Sequence, residues 1–159
     1  MKRTFLAAAF VALAPSAAHA ASCTVSAIAI AFGTYIPSAS SPTDNTGSVT
    51  VTCTALLQAV QYTIALNAGQ NSGGNFAGRR MRNTAGTSFL SYQVFTNAAR
   101  TTVWGSGTGG TSTVSDSYSC VTCINQSRSY PDYGRLLGGQ FSARPGLHSD
   151  TITVTVTFN

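Results

Sequence analysis

Thr151-Ile152-Thr153-Val154-Thr155-Val156-Thr157-Phe158-Asn159 alternates threonine with large apolar side chains to the last residue of the chain. Successive side chains of an extended strand point to opposite faces, so this spelling predicts an amphipathic β-strand. Ile152, Val154, Val156 and Phe158 would line a core, with the threonines on the other face. A terminal strand of this kind has a free edge at which another chain can pair. The same period of two recurs upstream. Val49, Val51 and Cys53 alternate with threonines; Tyr62, Ile64 and Leu66 alternate with Gln61, Thr63 and Ala65. Leu90, Tyr92 and Val94 alternate with Ser91 and Gln93, and Ile28, Ile30 and Phe32 with Ala29 and Ala31, up to Gly33. Turn-rich stretches at 37–47, 69–78, 105–112 and 125–131 separate these runs. No later segment sustains a period near 3.6, so the pattern predicts an all-β sandwich without internal repeats.

The opposite end of the chain indicates export. Lys2 and Arg3 precede an apolar run from Phe5 to Ala14, followed by Pro15 and Ala18-His19-Ala20, the layout of a secretory signal peptide. The expected organisation is a signal peptide at 1–20 and a single domain at 21–159. The apolar run is about half of the roughly 20 residues that a spanning helix needs, so no membrane span is expected. Beyond residue 20 the chain has no Lys and no Glu, and seven Arg face four Asp. Such sparse charge argues against a nucleic-acid partner, which would require clustered cations. The one basic cluster, Arg79-Arg80-Met81-Arg82, reads as a solvated loop or strand edge.

Four cysteines in an exported chain are most simply two disulfides, for which three connectivities exist. Cys23 with Cys53 and Cys120 with Cys123 is favoured, because Cys23 opens the first strand, Cys53 lies in the first strong downstream strand, and the other two are neighbours. Cys120-Val121-Thr122-Cys123 also has the spacing of a redox motif or half a zinc site. No helical pattern follows it, no second pair completes a metal site, and one histidine remains after processing.

Catalytic motifs fail on context, and no cofactor or metal is expected. Gly105-Ser106-Gly107-Thr108-Gly109-Gly110 matches a dinucleotide-binding spacing but is flanked by neither a buried parallel strand nor a helix. His148-Ser149-Asp150 has the residue types of a hydrolase triad, yet neighbours on a strand diverge, whereas a triad converges side chains distant in sequence. Asn125-Gln126-Ser127 is a glycosylation sequon by pattern. Tyr35, Phe76, Trp104, Tyr118 and Tyr130, in or beside turn-rich stretches, are candidates for an apolar contact surface.

The ordered set Cys23, Phe32-Gly33-Thr34-Tyr35, Val49-Thr50-Val51-Thr52-Cys53, Arg79-Arg80-Met81, Leu90 through Phe95, Trp104-Gly105, Tyr133-Gly134-Arg135 and Gly146 through Phe158 resembles the spore coat protein U domain. That family includes subunits of archaic chaperone-usher pili. The resemblance implies an incomplete immunoglobulin-like β-sandwich of pilin type, completed by a donor strand. It implies three kinds of partner: a periplasmic pilus chaperone, an outer-membrane usher and neighbouring pilus subunits. Ile152, Val154, Val156 and Phe158 would then wall the chaperone and donor-strand groove. The family's Gly-x-Tyr-x-Asp is Gly146-Leu147-His148-Ser149-Asp150 here, with histidine in the aromatic position. Only Ala21 and Ser22 separate the expected cleavage site from Cys23, too few for a donor strand, which predicts a tip or terminal subunit. The alternative is a monomeric exported envelope, coat or ligand-binding β-sandwich protein.

Overall fold

Two very long strands organise the computed structural model, which describes residues 21–158. The expected signal peptide at 1–20 lies outside the described residues, as does Asn159. Strand β1 spans Ser22–Ile28 and β2 spans Thr43–Leu66. They are followed by β3 at Arg80–Asn83, β4 at Phe89–Phe95, β5 at Val114–Leu136, β6 at His148–Ser149 and β7 at Val154–Phe158. All pairings between these strands are antiparallel, in the order β1-β2-β5-β4-β3-β6, with β7 also on β2. β2 and β5 pair from Thr43 with Leu136 to Ile64 with Val114.

This ribbon cannot be straight. The Arg128 guanidinium lies 3.1 Å from the Asp116 carboxylate on the same strand. Twelve residues of extended chain would separate them by about 40 Å. The Tyr62 and Tyr130 hydroxyls are likewise 2.6 Å apart, although the backbone partner of Tyr130 is Val49. A bulge explains the fold-back. The register shifts between Cys53 and Ala55, and Leu57 and Asn125 take left-handed φ values of 51° and 53°. Val49, Val51, Cys53 and Ala55 face the core before Leu57; Val60, Tyr62, Ile64 and Leu66 face it afterwards. An inward face that passes from odd to even positions requires such an irregularity, because a regular strand keeps one parity inward. One curled sheet thereby closes over its own core.

Trp104 fills the middle of that core, fully buried, and its indole N–H donates to the Ile64 carbonyl at 3.1 Å. Burying the ring without that partner would leave an unsatisfied donor costing about 1–3 kcal/mol. The structure bonds Cys23 to Cys53, which are also direct cross-strand partners, and Cys120 to Cys123 within β5.

Several sequence expectations are corrected. Residues 125–131 are not a loop but part of β5, held by backbone pairing to the stretch from Ser48 to Cys53. Two runs read as separate strands, at 49–54 and 61–66, are halves of β2. Arg79 is not solvated: it is 1% exposed, and Met81 is also buried, while Arg80 and Arg82 are exposed and lie over the Phe89 ring. Trp104 and Tyr35 are buried core residues. The C-terminal strand begins at Val154 rather than Thr151; Thr151 and Thr153 instead accept hydrogen bonds through their carbonyls from Gln70 and Asn67.

Candidate functional site

β5 occupies one side of β2, so β1 and β7 both lie along the other, β1 against Ser48–Thr54 and β7 against Tyr62–Leu66. Because β2 folds back at its middle, its two ends approach, and the end of β1 comes opposite the start of β7. Neither strand has a second partner among the described residues. Between them the sandwich is open. A cleft of about 300 Å³ runs between Ala27–Phe32 on one wall and Asp150–Val154 on the other. Its floor is Val49, Leu66, Met81, Tyr92 and Val94, side chains that also belong to the core or its lining. A second hollow of about 230 Å³ shares Ile30, Phe32 and Met81 with the first and carries the trough on toward Tyr35 and His148. The trough exposes core.

The C-terminal row divides along its length. Ile152 and Val154 line the cleft; Val156 packs against the core beside Ile64; Phe158 is 48% exposed and meets the edge of the Tyr62 ring at 5.9 Å. Thr151, Thr153, Thr155 and Thr157 are exposed.

The wall carrying Asp150 is pinned by polar contacts. Its carboxylate accepts from the Tyr92 hydroxyl at 2.7 Å, the Gln70 N–H at 3.0 Å and the Asn71 amide at 2.9 Å. Burial, together with this hydrogen bond to a carboxylate, pushes the Tyr92 phenol far above its ordinary range. Thr153 N–H donates to the Asn67 side chain at 2.9 Å, and the buried Arg79 holds the Asn67 carbonyl at 2.7 Å and Gln93 at 3.0 Å. Loss of water around Arg79 lowers its pKa. Thus the basic motif of the sequence braces the cleft from behind. At the opposite wall, burial raises the Asp132 carboxyl to about 6, against hydrogen bonds from its own N–H and that of Gly47.

His148 and Asp150 do not converge as a triad. The imidazole of His148 contacts the Gly146 carbonyl and Ser88, and packs edge-on to Tyr35, while Asp150 is committed to Tyr92. Among the described residues no cluster of three metal-ligating side chains occurs, and no helix is long and apolar enough to cross a membrane. Tyr92, Asp132 and Asp150 were not expected at a common cleft. The alternation of Ile28, Ile30 and Phe32 was visible in the sequence, but strand pairing ends at Ile28 and the next two side chains serve the cleft wall.

These features define an immunoglobulin-like all-β sandwich, open along one seam. The chain belongs to the Spore Coat Protein U domain family, whose model matches residues 8–155. It is 34% identical over 140 residues to Protein U of Myxococcus xanthus, which covers 80% of this chain and 70% of that protein. Its fold is also similar to that in the CsuC–CsuE chaperone–tip adhesion subunit pre-assembly complex from archaic chaperone-usher Csu pili of Acinetobacter baumannii. The TM-score is 0.53 at 22% identity, over 86% of this chain and 39% of that one, so the likeness is one of fold.

Proposed function

We propose that this chain is an exported structural and adhesive fibre subunit of the chaperone-usher type, with its open seam filled by a β-strand from another polypeptide. The observation that carries this reading is the trough between β1 and β7. It combines exposed core side chains with two strand edges that are unpaired among the described residues, the two deficits that an inserted strand corrects together. Backbone hydrogen bonds along the edge supply affinity, and alternate side chains entering the cleft set register. A periplasmic chaperone would fill the seam first, an outer-membrane usher would receive the complex, and a neighbouring subunit would complete the fold at the cell surface. Ile152, Val154, Val156 and Phe158 are the proposed groove wall and chaperone contact. With cleavage after Ala20, Ser22 is already engaged in β1, which favours a subunit that accepts a strand without donating one.

The test is co-expression with a candidate chaperone followed by affinity purification. Recovery of a one-to-one complex, and its replacement by a strand peptide from a neighbouring subunit, is the expected result. A stable monomer that ignores both would overturn the reading. The description of the family as a spore coat domain favours a second reading, an exported coat protein. Long homopolymers formed without added donor would refute the terminal position.

A further inference from the structure

We propose that Asp132 makes the cleft selective for a strand carrying a basic side chain at the inward position that faces it. The inference rests on strand capture and specifies the chemistry of the captured strand. Asp132 lies on β5 and lines the cleft wall formed by Ala27–Ile30. Its Oδ1 is buried and has no hydrogen-bond partner. The position is built around Gly47: a Cβ there would lie 2.5 Å from Asp132 Oδ1 and 2.4 Å from the Ile28 carbonyl oxygen. Any larger residue would push the carboxylate or the β1 extension aside, so glycine leaves the room that the acid needs.

Every other aspartate is paired with a cation or accepts three hydrogen bonds, whereas the Asp132 carboxyl has only its own N–H and that of Gly47. Asp44 pairs with Arg100 and Arg135, Asp116 pairs with Arg128, and Asp150 accepts three hydrogen bonds. Among the described residues no Lys or Arg lines the cleft, whereas Asp132 and Asp150 both do. Arg79, the nearest buried cation to Asp150, is spent on Asn67 and Gln93. Filling the seam with an entirely apolar strand would bury Asp132 further and leave it either charged without a counter-ion or forced to take a proton at neutral pH, both unfavourable. A neutral hydroxyl would satisfy a lone pair but leave the charge. An ammonium or guanidinium answers both, and its alkyl stem suits the aliphatic walls.

The experiment uses the purified mature chain and synthetic strands of alternating valine and serine. One inward valine at a time is replaced by lysine, by norleucine as the uncharged chain of similar length, or by glutamate. At one register position lysine is expected to tighten binding at least tenfold over norleucine, with glutamate weaker than both. In Asp132→Asn the lysine preference should disappear. The wild-type lysine and glutamate comparison stands by itself if that variant folds poorly. Peptides that bind with no such position, or a lysine preference that survives in Asp132→Asn, would overturn the selectivity and leave strand capture standing. Failure of every alternating peptide to bind would overturn both.

Discussion

Val154→Asp should damage this protein far more than Thr155→Asp, although the two positions are adjacent and the second change also introduces a charge. Val154 pairs with Leu66, which is 3% exposed, and its side chain lines the cleft; the Thr155 side chain is exposed. Burying a valine fully is worth about 1.5–3 kcal/mol, of which the open seam realises only part. The aspartate forfeits that part at once and costs several kcal/mol more when a strand closes over it. We expect Val154→Asp to lose about 2 kcal/mol from a domain whose whole stability is of order 5–15 kcal/mol. Its affinity for a donor strand should fall at least a hundredfold, or about 3 kcal/mol. Thr155→Asp should stay within about 0.5 kcal/mol. Urea unfolding with and without a donor peptide, together with periplasmic yield, measures both quantities. Within the row, Phe158→Asp should be milder than Val156→Asp despite the larger side chain, because Phe158 is half-exposed. Equal loss from Val154→Asp and Thr155→Asp would refute the assignment of faces.

Removing Cys23–Cys53, with its separation of 30 residues, should cost about 3–4 kcal/mol by loop entropy, against about 2 kcal/mol for Cys120–Cys123; urea unfolding of the paired serine variants would show the difference. Asp132 should make stability fall as pH rises from about 4 to about 6, because its raised folded pKa lets the native chain hold a proton that the unfolded chain releases. Asp44, held low first by its hydrogen bonds to Arg135, should act oppositely, its contribution being lost only as pH falls through a value below 3.8. Denaturant titrations across this range should show the Asp132 slope flattened in Asp132→Asn. Arg79→Ala should cost about 2 kcal/mol because it strands the Asn67 carbonyl, while the Gln93 amide oxygen keeps the Val94 N–H. Arg80→Ala should cost under about 1 kcal/mol, since that exposed side chain chiefly covers Phe89; thermal melts compare the two.

The alternating spelling at Val49–Cys53, Tyr62–Leu66 and Leu90–Val94 was enough to identify which side chains point inward, and each of these proves buried. The reason is physical: a period of two is local, and burial of one face is the main force acting on it. By contrast, Asn125 to Pro131 reads as a turn because asparagine, serine and proline suit turns, yet pairing with a stretch about 80 residues away makes it strand. Arg79 likewise looks like surface until Asn67, Phe76 and Gln93 surround it.

The sequence by itself determined an all-β chain, the inward side chains of its strands and an amphipathic C-terminal row. Only the tertiary structure decided that β1 and β7 share one side of a folded-back β2, leaving their free edges across a single cleft with Asp132 and Asp150 on its walls. Alternation reports which face of a strand is buried, a property of neighbouring residues. Which edges meet depends on the register shift between Cys53 and Ala55 and on the left-handed backbone at Leu57, and those are settled by contacts between residues far apart in the chain.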